Sequence, residues 1–249
     1  MEQVPAIPFL ERQALFGLVK QGTVMFLDIR EPDEFAAAHL PAARNVPFST
    51  LQTSLRSLQV DATTTVVPYC NWDFRAYVAA VELQRRGVPR VAMMYPHGLR
   101  GWIASGLPVA SEGHGQTDAH AWAQFMETIR RSPVMLDTEP RATDKRSGRT
   151  TTVNMRILPR RVEPAHIRAT VGDRVVLELT AEEEDHWFVI PDFGVDVHLA
   201  KGERRTVTLE ITRSGYFPLG CISCCTRYRC QTKQAIVVDL TTTVASYGE

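Results

Sequence analysis

The pattern of apolar residues changes once along this chain, and that change constrains the fold more than any single motif. Up to about residue 110, strand-like and helix-like segments alternate. TVMFLDIR (23–30), TTTVVPYC (63–70) and VAMMY (91–95) are short apolar runs of strand type. DEFAAAHL (33–40) and FRAYVAAVELQRRG (74–87) are helical in composition, the second with apolar residues at about 3.6 spacing and Gly87 as a stop. Alternation of this kind predicts a parallel sheet with helices on both faces. Beyond residue 151 only β-branched runs remain: MRILP (155–159), RVVLELTA (174–181), HWFVIP (186–191), RTVTLEITR (205–213) and QAIVVDL (234–240), separated by Gly, Pro and Asp. These predict an all-β sandwich. The polar stretch between them, 111–151, reads as a linker carrying one helix at about 118–132, with Trp122, Phe125 or Met126, and Ile129 on one face. The expected organisation is therefore 1–110, a linker over 111–151, and 152–249. A length of 249 residues suits one or two domains.

Charge narrows the partners. Lys plus Arg and Asp plus Glu are equal at 28 each, so no net field favours nucleic acid or an anionic membrane. No stretch approaches the roughly 18 apolar residues that a membrane helix needs. The first residues lack the basic start and apolar run of a signal peptide. A soluble cytoplasmic protein is expected. There, clustered cysteines point to metal ligands or redox thiols before structural disulfides.

The first chemical feature is VVPYCNWDFRAYVAA. Cys70 ends an apolar strand and precedes a helix. A loop entering a helix N-terminus turns backbone N–H groups into one hollow and adds positive potential. A thiolate held there, with Arg75 at the far end of the loop, is expected to have a lowered pKa. An inert buried cysteine is the competing reading. LDIREPDEFAAAHLPAARNVP (27–47), YCNWDFRA (69–76) and GVPRVAMMYPHGLRGWIASGLPV (87–109) together resemble a single-domain rhodanese, a sulfurtransferase. The resemblance implies an α/β rhodanese-like fold over nearly all of residues 8–110. It also implies that Cys70 takes sulfane sulfur as a persulfide and that the loop residues Asn71, Trp72, Asp73 and Phe74 cradle it. Arg75 would close the loop and favour anionic donors, a thiol would accept the sulfur, and no cofactor would be required. Related phosphatases use Cys-x5-Arg; the shorter Cys-x4-Arg loop here favours sulfur over phosphate. The chain departs from the family pattern at Asp73, where glycine is usual, and at His97-Gly98, where Gly-Gly is usual. The negative charge of Asp73 and the bulk of Trp72 disfavour thiosulfate, so a persulfide or polysulfide is an alternative donor. Asp28, Arg30 and His39 match positions that hold that fold together, and Trp102 is expected in the core.

The second feature is GCISCCTRYRCQTKQ (220–234), which holds four of the five cysteines. Residues 163–221, with DHWF (185–188) and PDFG (191–194), and the closing AIVVDL resemble a cupredoxin domain, nearest the copper domain of cytochrome oxidase subunit II. The resemblance implies a cupredoxin-like sandwich and matches His186, Cys221 and Cys225 to copper ligands. Arg229 and Thr232 stand where that family's remaining His and Met belong, so the usual dinuclear copper set is broken. Cys230 offers a replacement. His186, Cys221, Cys225 and Cys230 would form a Cys3His set suited to zinc, copper(I) or iron, with Cys224 as an alternative chelate. His198 is expected on an exposed hairpin. A thiol relay, with Arg227, Arg229 and Lys233 lowering thiol pKa values, competes with the metal reading. A vestigial loop is the third reading.

The expected function is sulfur transfer through Cys70, coupled to a cysteine-rich domain that binds metal or relays sulfur. A copper protein with a regulatory rhodanese half is the alternative. A sulfur or copper sensor without turnover is a third.

Overall fold

A computed structural model describes residues 7–95, 97–112, 117–131, 148–223 and 235–238. The chain divides into two units; the described residues of the first lie within 7–131 and those of the second within 148–238.

In the first unit, strands β1 (Phe9–Leu10), β2 (Val24–Asp28), β3 (Arg44–Asn45), β4 (Thr65–Tyr69) and β5 (Met93–Met94) are interleaved with helices. These are α1 (Arg12–Gln21), α2 (Pro32–Ala37), α3 (Leu51–Ser54), α4 (Phe74–Arg85), α5 (Gly98–Ala104) and α6 (Asp118–Arg131). β2 pairs in parallel with β3 and β4, and β1 with β5. A parallel bridge between Val66 and Val91 joins the two sets, giving the order β3-β2-β4-β5-β1. All five residues of β4 are buried, which a strand achieves only when both faces are covered. Val67 and Tyr69 face a core with Leu15, Phe16, Trp102 and Phe125, while α4 packs against β4 with Ala76, Ala79, Ala80 and Leu83 buried. The expected rhodanese-like arrangement of parallel sheet and flanking helices is thus present.

One element sits differently from its expected place. The helix placed in a linker, α6, belongs to the first unit. Phe125 and Ile129 are fully buried in its core, with Phe125 against Trp102 and Phe16. A helix with three apolar residues on one face needs a surface to bury them, and α1 and α5 supply it.

Asp28, Arg30 and His39 brace the sheet, as expected. The Arg30 guanidinium donates through Nε and Nη2 to both oxygens of Asp28, and the same Nη2 reaches the Ala38 carbonyl. His39 stacks on Phe35 and is hydrogen-bonded through Nδ1 to the Phe35 carbonyl.

The described residues of the second unit are mostly β, with a 3-10 turn at Pro191–Phe193. Its strands are β6 (Thr150–Leu158), β7 (Arg161–Glu163), β8 (His166–Ala169), β9 (Arg174–Ala181), β10 (His186–Ile190), β11 (Val195–Leu199), β12 (Arg204–Glu210), β13 (Gly215–Pro218), β14 (Gly220–Cys221) and β15 (Ala235–Val238). They form sheets of order β12-β9-β6-β7, β11-β10-β14 and β13-β15-β8 around one core. β9 shows why: Val175, Leu177, Leu179 and Ala181 alternate inward, while Arg174 and Glu178 point out. The β6–β9 and β8–β15 pairings are parallel.

Candidate active site

Cys70 follows β4 directly, and α4 begins four residues later. The chain turns in that space because Asp73 adopts a left-handed conformation, φ 71°. Among residues with a Cβ, aspartate is one of the few that tolerates this region. Its carbonyl then starts α4 by accepting from Tyr77 N–H at 2.7 Å. The loop is stitched from the other side by the start of α5: Leu99 N–H donates to the Cys70 carbonyl at 2.8 Å. Gly98 permits that approach. A Cβ there would lie 2.4 Å from the Cys70 carbonyl oxygen, and its φ is +57°.

The Cys70 thiol is buried, and the Trp72 and Ala76 backbone N–H groups beside it favour its charged form. Arg75 also reaches it through its guanidinium. That guanidinium is held by Glu34 of α2 in a two-pronged pair, Nη1–Oε2 2.8 Å and Nη2–Oε1 3.0 Å, a geometry matched to a carboxylate. Asn71 Nδ2 donates to the same Glu34 at 3.1 Å. Burial opposes the charge of both partners. Their hydrogen bonds and mutual attraction outweigh it, lowering the Glu34 pKa and raising that of Arg75.

The lowered thiol pKa expected for Cys70 is not found. Burial pushes the thiol up from its ordinary value; Arg75 and the two N–H groups pull it down, and the Asp73 carboxylate pushes it up again. The net direction is upward because desolvation of a fully enclosed thiolate outweighs a cation that Glu34 already balances.

Residues 12–105 match the family model described as the rhodanese-like domain. A sulfurtransferase of Allochromatium vinosum is 34% identical over 91 residues, covering 36% of this chain and 82% of that protein. The chain belongs to the rhodanese family. An uncharacterized protein of Synechocystis is 35% identical over 96 residues, covering 39% of this chain and 52% of that protein. A rhodanese-related protein from Thermoplasma volcanium superimposes with a TM-score of 0.37 at 25% identity, over 42% of this chain and 99% of the other. The chain spans about half the length of the first two curated relatives it matches.

The two departures from the rhodanese pattern meet each other. Asp73 Oδ2 and His97 Nδ1 are 2.7 Å apart, with both side chains almost fully enclosed. His97 also packs edge-on against Phe9 and Tyr95. Trp72 is buried in the same loop, and the Arg100 guanidinium lies over its ring at 5.7 Å. Phe74, the remaining loop residue of the sequence reading, is buried at the start of α4. Sequence reading missed Glu34, although the Glu31–Glu34 capping box that starts α2 is visible in EPDE.

In the second unit, His186 and Cys221 come together. β10 pairs with β14, and His186 Nδ1 lies 3.3 Å from the Cys221 sulfur. His186 Nε2 faces the Glu182 carbonyl at 3.0 Å, which turns Nδ1 toward the thiol. Burial disfavours the charged imidazole, but the Cys221 and Glu182 contacts raise its pKa. Metal bonds of about 2.3 Å to sulfur and 2.0 Å to nitrogen at a tetrahedral centre would set these atoms about 3.5 Å apart. The pair fits that spacing. Cys224, Cys225 and Cys230 lie outside the described residues. Among the described residues no three His, Cys, Asp or Glu side chains converge as a metal site. His198 is exposed and stacks on Trp187, 4.5 Å between rings.

Proposed function

We propose that this chain is a sulfurtransferase in which Cys70 carries the moving sulfur as a persulfide. The observation that supports it most is the Cys70 sulfur seated on the Trp72 and Ala76 N–H groups with the Arg75 guanidinium beside it. A negative sulfur formed there meets donors already in place, which is how a preorganised site stabilises developing charge. The Cys70 thiolate attacks the sulfane sulfur of a donor, the donor's bond to that sulfur breaks, and its electron pair leaves with the remaining group. A thiolate acceptor then attacks the outer sulfur of the Cys70 persulfide and frees the Cys70 thiolate. Arg75, fixed by Glu34, balances the charge throughout. Among the curated relatives is a protein named a sulfurtransferase, which agrees with this chemistry.

Cys70→Ser tests the reading. The variant is expected to lose sulfur transfer to cyanide or a thiol by at least about a thousandfold, as removal of a covalent nucleophile does. Turnover at the native rate would overturn it.

A second reading concerns the cysteine-rich stretch. The 3.3 Å approach of His186 to Cys221 favours a metal site in a cupredoxin-like second unit. Cys225 and Cys230 would complete a Cys3His set, or Cys224 would substitute. Copper(I) or zinc would suit three thiolates and an imidazole. Bound there, the metal would stabilise the closing strands of the β unit. Without metal, the same thiols would serve as sulfur acceptors for Cys70. Anaerobic purification from metal-replete cells is expected to yield about one metal per chain, lost in Cys221→Ala. Metal-free protein would overturn the metal reading and leave the thiols to the relay.

A further inference from the structure

In a rhodanese loop, a carboxylate opposes an anionic donor. Asp73 nonetheless sits among the residues that surround Cys70, and it is not there by default. Its side chain is almost fully enclosed and meets His97 at 2.7 Å. Burying a carboxylate without compensation is costly, so His97 is what makes Asp73 tolerable. The pairing also explains His97. Gly98 is required by the close approach to the Cys70 carbonyl, whereas the neighbouring position has no such constraint and carries the partner of Asp73.

The charges near the sulfur can be counted. Arg75 is balanced by Glu34, and the pair shares its hydrogen bonds. Arg100 lies over Trp72. With a neutral His97 donating Nδ1–H to Oδ2, Asp73 is compensated by a hydrogen bond and keeps its charge, which acts against the thiolate at the sulfur. A second negative charge arriving with a donor meets the same opposition, since like charges placed together in an interface select against a partner. Thiosulfate brings two negative charges. A hydropersulfide, R–S–S–H, brings at most one on its reacting sulfurs.

We propose that the Asp73–His97 pair sets donor choice at the Cys70 loop, admitting hydropersulfides and rejecting the thiosulfate dianion. The inference rests on the sulfur-transfer reading above and names its substrate class. The Cys70 thiolate attacks the outer sulfur of R–S–S–H, the S–S bond of the donor breaks, and R–S⁻ departs with the electron pair. The proton on the transferred sulfur passes to R–S⁻, leaving Cys70–S–S⁻ and R–SH. The donor enters neutral, the single negative charge of the Cys70 thiolate ends on the persulfide, and no outside oxidant or reductant is needed.

The test compares kcat/KM for thiosulfate and for the hydropersulfide of mercaptoethanol, with the same thiol acceptor, in native protein, Asp73→Asn and the double variant Asp73→Gly, His97→Gly. Asp73→Asn keeps the shape and the left-handed backbone while removing the charge, so it decides the question if the double variant fails to fold. The native protein is expected to prefer the persulfide by at least about tenfold. Both variants are expected to narrow that ratio by about tenfold, chiefly through a lower KM for thiosulfate. A general loss of structure would lower both donors together and leave the ratio alone. Equal use of the two donors by the native protein, or a ratio unchanged in Asp73→Asn, would overturn the donor assignment while leaving sulfur transfer standing. Failure to consume either donor would remove both readings.

Discussion

Arg75 and Glu34 show how one pair of side chains sets the surroundings of a buried thiol. The guanidinium touches Cys70 and is gripped by Glu34 at two points. Glu34→Gln would leave a nearly enclosed guanidinium without its carboxylate. The expected cost is about 3 kcal/mol of unfolding free energy. The Cys70 thiol pKa is expected to fall at the same time, because the cation is no longer balanced. Denaturant titration and the pH dependence of Cys70 alkylation check the two effects. A thiol pKa that rises in the variant would sink the account. The native thiol also ties stability to pH. Its folded pKa lies above the ordinary 9.0, so this contribution is intact below that value and is lost as pH climbs through the folded pKa. Cys70→Ser should therefore lose less stability than the native protein between neutral and strongly alkaline pH, read as melting temperature. At this scale the sequence was informative only over short distances. Cys70 and Arg75 lie within one loop and declare themselves together. Glu34 lies in another helix, and nothing local marks it as the partner of Arg75. Asp73 and His97 were each legible as departures, but their contact exists only once α5 is laid against the loop. The direction of the thiol shift was misjudged because dipole and charge can be read from a sequence, whereas enclosure cannot.

Helix α6 carries the same lesson one level up. Its apolar face was legible from Trp122, Phe125 and Ile129, but a periodic stripe does not say what covers it. Phe125 is fully buried, with Trp102 at 4.7 Å and Phe16 at 5.6 Å between ring centroids. Phe125→Ala is expected to cost about 3–5 kcal/mol, since the rings around it cannot collapse fully into the space. Guanidinium unfolding followed by tryptophan fluorescence measures this, and a change below about 1 kcal/mol would mean that the helix is dispensable. The long strands of the second unit were equally legible: RVVLELTA coincides with β9. The short strands β7, β13 and β14 were not, because two to four residues carry too little alternation to stand out from a turn.

At the scale of the whole molecule, each unit has its own buried core. Calorimetry is expected to resolve two transitions. Cys70→Ser and Phe125→Ala should move one of them, and Phe188→Ala only the other. A single transition that all three substitutions shift together would contradict two separate cores. The pairing in the second unit also bears on how it comes into being. β6 joins β9 in parallel, and β8 joins β15, so that residue 166 finds its partner only at residue 235. No hairpin can zip such pairs together; the intervening chain must first be looped back at an entropic cost. Ile236 and Val238 complete the interior beside Ile167 and Phe217. The core of the second unit therefore cannot be completed until the strand that follows its cysteines has been made.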